Sequence, residues 1–600
     1  MIVRMKRVAV LCTAASEHET LEALQSLGVL HIDADGRAEA PALKEAQTSL
    51  DNAAKALAAV EAAAKAAGGE RDTPAAPDAA ATPESVLATL SRIDALGAQI
   101  TDLERRLATY APFGDFNPAD FRAIEAAGLR LRLFRAPAAQ VPEAAAGQAV
   151  RILAEDAKEK VAYGLAIGDV AFADAVETLP VPEKSSKEIA AALDAARASL
   201  KAEEAALAAM GPAIERLKGV VAERTTVRDF AAAQAAMGAE SGVKWLTGYI
   251  PEEKLPEIRE AAAAHGWGVA ARDPADDEEP PTLIAPPKLF RPIVALFDML
   301  GIAPGYREAD VSVVFYSFFT VFFAMLVGDA GYGLLILALT VFLRVKFRKA
   351  PSAPFMLMGV FSLATILWGA LTATYFGIPS SALPAWLKPA SAAWLDSQSP
   401  EGQAHVMQLC FLIGATHLSV ARVWNAVQLF PSKKFLAQIG WLGIVWTMYC
   451  AACKVAVNVP FPPFMVYVAA ASSLLIALFM LDRSELKSKG VELGMLPLNI
   501  VSGLGDIISY VRLYAVGLSS VMVAQNFNSM ATSLQLPMAV KIPCMVLILL
   551  LGHGLNLAMG ALSILVHAVR LNTLEFSNHK GVTWSGHAYA PFRGARRGTK

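Results

Sequence analysis

Between about residues 308 and 576 the chain is a succession of apolar segments, and charge, abundant before residue 290, becomes sparse after it. That asymmetry assigns the first half to water and the second to a bilayer. The segments fall at about 308 to 328, 330 to 346, 355 to 377, 404 to 430, 435 to 457, 464 to 481, 495 to 530 and 542 to 576. Residues 308 to 346 also read as one very long helix. One crossing there would leave the basic run Arg344-Val-Lys-Phe-Arg-Lys349 outside, against the positive-inside tendency; a hairpin at Gly328-Asp-Ala-Gly-Tyr-Gly333 removes the conflict. With eight spans, Lys and Arg gather on one side: at 344 to 349, at Lys433 and Lys434, at Arg483, Lys487 and Lys489, and at Arg593, Arg596, Arg597 and Lys600. The other side has Lys388 and Lys541 in its loops, with Lys454 near the outer end of a span. Both termini are therefore expected in the cytoplasm. Met1 to Ile32 reads as strand, helix, strand rather than as a signal peptide, which also predicts a cytoplasmic first half.

In that first half, Val86, Leu90, Ile93, Ile100, Leu103 and Leu107 recur at spacings of three, four or seven. Leu193, Leu200, Leu207, Met210, Ile214, Leu217 and Val221 keep the same rhythm, which predicts two legs of an antiparallel coiled coil. A compact bundle of Ala-rich helices is the alternative. Between the legs, Leu129 to Phe134 and Val161 to Ile167 read as strands. The expected organisation is a cytoplasmic domain over 1–290, a linker over 291–307 and a transmembrane domain over 308–600. Within the first, a near lobe (1–34 and 243–275) joins legs 40–108 and 184–238 to a far lobe (111–180). Gly68 to Pro83, rich in Ala, Pro and Gly, reads as a turn or flexible insert in the outgoing leg.

Several functions are set aside on composition. A net charge of −2 with no zinc-finger or basic-helix pattern gives no support to nucleic-acid binding. Cys450 and Cys453 form a C-x-x-C in an apolar run without His or further Cys at metal spacing, so they read as small buried side chains. No phosphate-binding G-x-x-x-x-G-K-[ST] and no H-E-x-x-H occurs, so ATP-dependent work would need a nucleotide site on another chain.

The last two apolar segments carry Arg512 and Arg570. A mid-membrane Arg is unfavourable by roughly 2.5 to 3.5 kcal/mol, so such residues face a polar path or a partner charge. At 100° per residue, His553, Asn556, Ser563, His567 and Arg570 fall within about a 100° arc, and Asn499, Ser502, Asp506, Ser509 and Arg512 within about 140°. This pattern points to ion movement through the membrane, the alternative being a polar seam between helices. Both segments exceed a bilayer core of about 30 Å, which calls for tilt or extension beyond the lipid.

The chain resembles the a/I subunit of the V-type and A-type rotary ATPases across essentially its whole length. The resemblance rests on Trp245-Leu-Thr-Gly-Tyr-Ile-Pro251, Pro280-Pro-Thr-Leu, Phe322-Phe-Ala-Met-Leu-Val-Gly-Asp-Ala-Gly-Tyr-Gly333 and Trp368-Gly-Ala-Leu-Thr-Ala-Thr-Tyr-Phe-Gly377. Most specific are Asp506-Ile-Ile-Ser-Tyr-Val-Arg-Leu513 and His567-Ala-Val-Arg-Leu571 followed by Glu575. It implies a mainly α membrane protein: cytoplasmic α/β lobes joined by a long antiparallel coiled coil, and eight transmembrane helices, the last two long and tilted. Its expected role is that of a stator, not itself an enzyme and without a cofactor, that moves H⁺ or Na⁺. Its expected partners are a rotating proteolipid ring, peripheral-stalk subunits, a central-stalk socket subunit, the soluble ATPase head and the lipid of a prokaryotic plasma membrane. Arg512 and Arg570 match the family's two essential membrane arginines, and His567 a polar position near the second. Asp506, Ser509, Asn556, Ser563, His567 and Glu575 are the candidates for the ion path, with helix-to-helix hydrogen bonding as the alternative for each. The chain departs from many relatives at Gly560, where some carry an acidic residue, and over Ser577-Asn-His-Lys-Gly-Val-Thr-Trp584 before rejoining at Tyr589-Ala-Pro-Phe592. A secondary transporter and a membrane-anchored scaffold remain as rival readings, the first weakened by the absence of an internal repeat.

Overall fold

The computed structural model describes residues 1–33, 40–67, 81–138, 150–156, 160–167, 176–387, 392–396, 399–481, 491 and 493–594. Most of the expected insert at 68 to 83, and Lys388, Arg483, Lys487, Lys489, Arg596, Arg597 and Lys600, lie outside the described residues. Strands β1 (Met5–Thr13), β2 (His31–Ile32), β7 (Gly238–Glu240), β8 (Val243–Pro251) and β9 (Gly268–Arg272) form one sheet in the order β2-β8-β1-β9, with β7 paired to β8. The described residues divide into two compact units, one centred on Val10–Thr247 and one on Val269–Pro591.

In the first unit, helices Pro41–Ala66 and Ile214–Ala236 pack together, as do Pro83–Tyr110 and Ser186–Ala208. Ala56, Val60, Val86, Leu207 and Leu217 are the buried centre of this layer. Two of these helices start on capping boxes, Thr82 with Ser85 and Ser185 with Glu188, which satisfy amide groups that a first turn leaves open. The return leg does not run unbroken. Gly211-Pro212 sits in a 3₁₀ turn, Gly211–Ala213, because proline has no amide to continue the ladder, and the apolar rhythm from Leu207 to Ile214 steps across that break. Beyond the helices, β3 (Leu131–Pro137), β4 (Val150–Asp156), β5 (Val161–Ile167) and β6 (Glu177–Leu179) form an antiparallel sheet in the order β4-β5-β3-β6. Phe134 is fully buried opposite Gly164, where an added Cβ would come within 2.3 Å of its ring.

The second unit is helical from Ile293 onward. Among the described residues, five helices are long and apolar enough to cross a membrane: Ser352–Leu371, Pro400–Leu429, Lys434–Val457, Leu496–Thr532 and Met538–Lys580. Ser312–Val327 and Ala330–Lys346 pass only as a pair bent by 117°, and Phe464–Phe479 is shorter, with 16 residues. All eight apolar segments read from the sequence coincide with these helices. By length and composition the described residues hold five spans, or six with the bent pair as one, where the sequence reading expects eight. The bend is built by specific bonds. Gly328 closes the first helix at φ 70°, and the Asp329 carboxylate, 1% exposed, accepts from the amides of Gly331, Tyr332, Phe376 and Gly377. Asp329 is therefore spent on the turn. Phe315, Phe319, Phe322, Phe323, Phe361 and Phe411 anchor the buried core of the bundle.

Candidate functional site

The helix carrying Arg512 is interrupted just before it. Leu496–Ile508 ends, Ser509 and Tyr510 form a turn, and Val511–Thr532 begins again. Tyr510 is fully buried against Gly414 and hydrogen-bonds His417 Nδ1 at 2.8 Å. His417 in turn stacks on Phe576 with ring centroids 4.6 Å apart. This stack ties the break in one helix to the residue beside Glu575 in the other. The break leaves the Ser509 carbonyl available, and Arg512 Nε donates to it at 2.9 Å.

The facing segment of the last helix is wound as π-helix, over Ile564–Ala568 and Leu571–Phe576. A π-turn bonds residue i to i+5, so residues five apart stack on one face, and such turns recur at functional sites. Arg570 and Glu575 are spaced in this way. Glu575 Oε1 accepts from Arg512 Nη2 at 2.7 Å and lies 3.6 Å from Arg570 Nε. The carboxylate side chain is 6% exposed, whereas Arg570 is 54% exposed. Two guanidiniums against one carboxylate leave a net charge of +1. Among the described residues, Glu575 Oε2 and His567 Nδ1 are buried without a hydrogen-bond partner.

A second polar group lies on the other side of the break. Asp506 Oδ2 accepts from His579 Nε2 at 2.9 Å, and Arg422 Nε donates to His579 Nδ1 at 3.1 Å. These bonds fix the neutral Nε2–H tautomer of His579. The Arg422 guanidinium also rests 4.9 Å from the centre of the Trp441 ring. The three line a cavity of about 540 Å³ with Gln438, Asn499 and Ser502. An ion could be hydrated and handed between side chains in such a space.

The structure thus brings together Arg512, Arg570, Glu575 and the Ser509 carbonyl, and separately places Asp506 on the cavity. Asn556 belongs to neither group. It is buried and donates to Tyr332 Oη at 3.0 Å and to the Ser520 carbonyl at 2.8 Å, a bond between helices. Ser563 and His567 are half-buried on the same helix. Sequence reasoning missed Arg422 and His579. Arg422 lies within an apolar segment as Arg512 does, so the same rule would have found it. His579 sits in the stretch that departs from the family pattern, where motif matching gave no signal.

No family model matches this chain. Among curated proteins, V-type ATP synthase subunit I of Borreliella burgdorferi is 34% identical over 367 residues, covering 58% of this chain and 60% of that protein. V-type ATP synthase subunit I 1 of Treponema pallidum is 29% identical over 634 residues, covering 99% and 100%. A-type ATP synthase subunit I of Archaeoglobus fulgidus is 28% identical over 402 residues, covering 59% of each. The matches thus span about three-fifths of the first and third relatives and the whole of the second. A solved structure of the cytoplasmic N-terminal domain of subunit I, homolog of subunit a, of V-ATPase matches at 20% identity over 44% of this chain and 100% of that one. Its TM-score of 0.19 gives the likeness no structural weight.

Proposed function

We propose, from the premise that this chain is a homologue of subunit I of the V-type and A-type ATP synthases, that it is the stationary membrane subunit of a rotary ATPase. In this reading Arg512 and Arg570 act on carboxylates of a rotating proteolipid ring. The observation that carries it is the net positive cluster of Arg512, Arg570 and Glu575 in the last two long apolar helices, with the Arg570 side chain open to the surroundings.

A ring carboxylate must be neutral in lipid and must release its ion at the stator. A guanidinium favours the ionised form: at about 4 Å and an effective dielectric of about 20 the attraction is about 4 kcal/mol. That equals roughly three pKa units before desolvation takes back a part. Arg suits this role because it stays protonated. Glu575 occupies Arg512 when no ring carboxylate faces it, so the guanidinium is never left uncompensated in the membrane. The same positive charge repels free cations, and each leaked charge would waste about 2.3 kcal/mol per 100 mV.

The cavity beside Asp506, His579 and Arg422 serves in this reading as the inner half-channel. Lys and Arg along the sequence favour eight crossings with both termini inside. The helical legs and small sheets of the first half then act as the attachment for peripheral stalks and the ATPase head, with a socket subunit below the ring.

Arg512→Ala in the intact complex tests the reading. ATP-driven ion transport is expected to vanish while the complex still assembles, and Arg512→Lys should be severely impaired as well. Normal coupled transport by Arg512→Ala would refute it. A chain that purifies alone and exchanges solutes would favour a transporter instead; co-purified nucleotide-binding subunits and a small proteolipid favour the stator.

A further inference from the structure

The end of the helix Ala330–Lys346 collects four cations in six residues, Arg344, Lys346, Arg348 and Lys349, and the sequence holds no Asp or Glu between Asp329 and Asp396. Among the described residues none of the four forms an ion pair. Arg344 is used within the turn itself. Its Nη1 donates to the carbonyls of Arg348 at 3.1 Å and Ala350 at 3.2 Å, and its guanidinium lies 5.7 Å from the centre of the Phe355 ring. These bonds occupy two carbonyls past the end of the helix and close the turn. Lys346, Arg348 and Lys349 stay exposed.

Toward its middle the same helix is bare. At 100° per residue Leu335, Leu339, Phe342 and Lys346 share a face within about 60°, and the three apolar side chains are 48%, 51% and 60% exposed. The helix packs along Ser352–Leu371, which leaves this stripe uncovered. The Lys346 ammonium stands 6.0 Å from the centre of the Phe342 ring and 5.7 Å from that of Phe347, which is exposed as well. Leu335 to Lys346 spans about 16 Å at 1.5 Å per residue, close to half of a bilayer core of about 30 Å. The stripe therefore has the depth of one leaflet and ends in cations at the level of that leaflet's phosphates.

We propose that this stripe and turn bind an anionic phospholipid, its acyl chains along Leu335, Leu339 and Phe342 and its phosphodiester against Lys346, Arg348 and Lys349. Charge complementarity selects the headgroup. A zwitterionic lipid brings its own ammonium toward three cations, whereas a headgroup of net negative charge meets only attraction. The stripe selects a lipid over other anions. A free phosphate would satisfy the cations and leave the apolar face bare, and so would an acidic protein segment docked on the turn. Phe342 and Phe347 beside the Lys346 ammonium make the change from hydrocarbon to charge within about one turn, as at the glycerol level of a leaflet. Binding here does not depend on the stator reading.

The test compares the full chain in detergent micelles with the triple variant Lys346→Gln, Arg348→Gln and Lys349→Gln. Each is titrated with dioleoyl phosphatidylglycerol or dioleoyl phosphatidylcholine, and bound lipid is counted by native mass spectrometry. A basic residue near an anionic surface is worth roughly a fivefold change in binding, so three are worth about a hundredfold. The parent chain is expected to prefer phosphatidylglycerol by about that factor, and the triple variant to bind the two lipids within about threefold. Leu339→Ser should weaken both lipids alike, because it touches the acyl chain. Equal affinity of the parent chain for the two lipids would overturn the proposal, as would an undiminished preference in the triple variant. Glycerol 3-phosphate at the same concentration should not displace the lipid; if it does, the cations take a free phosphate and the assignment to a lipid falls. Should the triple variant fail to fold, Lys346→Gln alone decides, and an undiminished preference there overturns the proposal.

Discussion

Replacing Glu575 by Gln removes the charge between two arginines while keeping the shape of the side chain. In the native chain its carboxylate is almost fully buried and meets Arg512 at 2.7 Å and Arg570 at 3.6 Å. At charge separations of about 4 Å and an effective dielectric of about 20, each attraction is about 4 kcal/mol, against several kcal/mol to desolvate the carboxylate. Breaking such a pair from one side costs about 3 to 5 kcal/mol, because a buried charge is left without a partner. Arg512→Gln is expected near that range. Glu575→Gln should cost less, about 2 kcal/mol, since the amide oxygen still accepts from Arg512 and Arg570 reaches solvent. The double variant should cost less than the sum of the two by about 2 kcal/mol, since neither charge is then stranded. Denaturant titration of the full chain in detergent micelles, with the parent chain and the three variants in one series, reads these differences. Additivity within about 0.5 kcal/mol would show that the ion pair does not form, and the account of how Arg512 is kept compensated would fall.

Two predictions concern the first unit. Gly164→Ala places a methyl group within 2.3 Å of the Phe134 ring and should destabilise the four-stranded sheet by about 1 to 3 kcal/mol, seen as faster amide exchange over 131–137. Glu188, held below the ordinary carboxylate range by the Ser185 amide and hydroxyl, contributes its capping bonds above the unfolded value near 4.5. That contribution is lost as pH falls through the lowered folded value, so the Ser186–Ala208 helix should fray at its amino end below pH 4.5 in exchange measurements, and Glu188→Gln should remove the pH dependence.

Helix placement in the second half was legible because an apolar run in lipid has one way to satisfy its backbone, and each of the eight runs is a helix. Whether a run crosses the membrane was less legible: length alone leaves Phe464–Phe479 and the bent pair short, and the bend at Gly328 and Asp329 depends on amides of Phe376 and Gly377 far along the chain. The polar stripes were read at 100° per residue, a period that fails at the turn after Ile508 and in the π-wound stretch. The pairing of Arg570 with Glu575 was therefore invisible to the wheel. Arg422 and His579 show a further limit, since Arg422 bonds His579, His579 bonds Asp506 on a third segment, and no spacing rule joins the three.

The widened coil from Ile564 to Phe576 has a consequence for how this chain tolerates change. Each loose turn houses an additional residue without lengthening the rod in proportion, so deleting one position there would let ordinary winding return. Everything downstream would then swing by about a quarter of a circle. Glu575 would leave the edge it shares with Arg570, and Phe576 would slide off His417. Single deletions in that stretch should consequently be far more damaging than substitutions at the same positions.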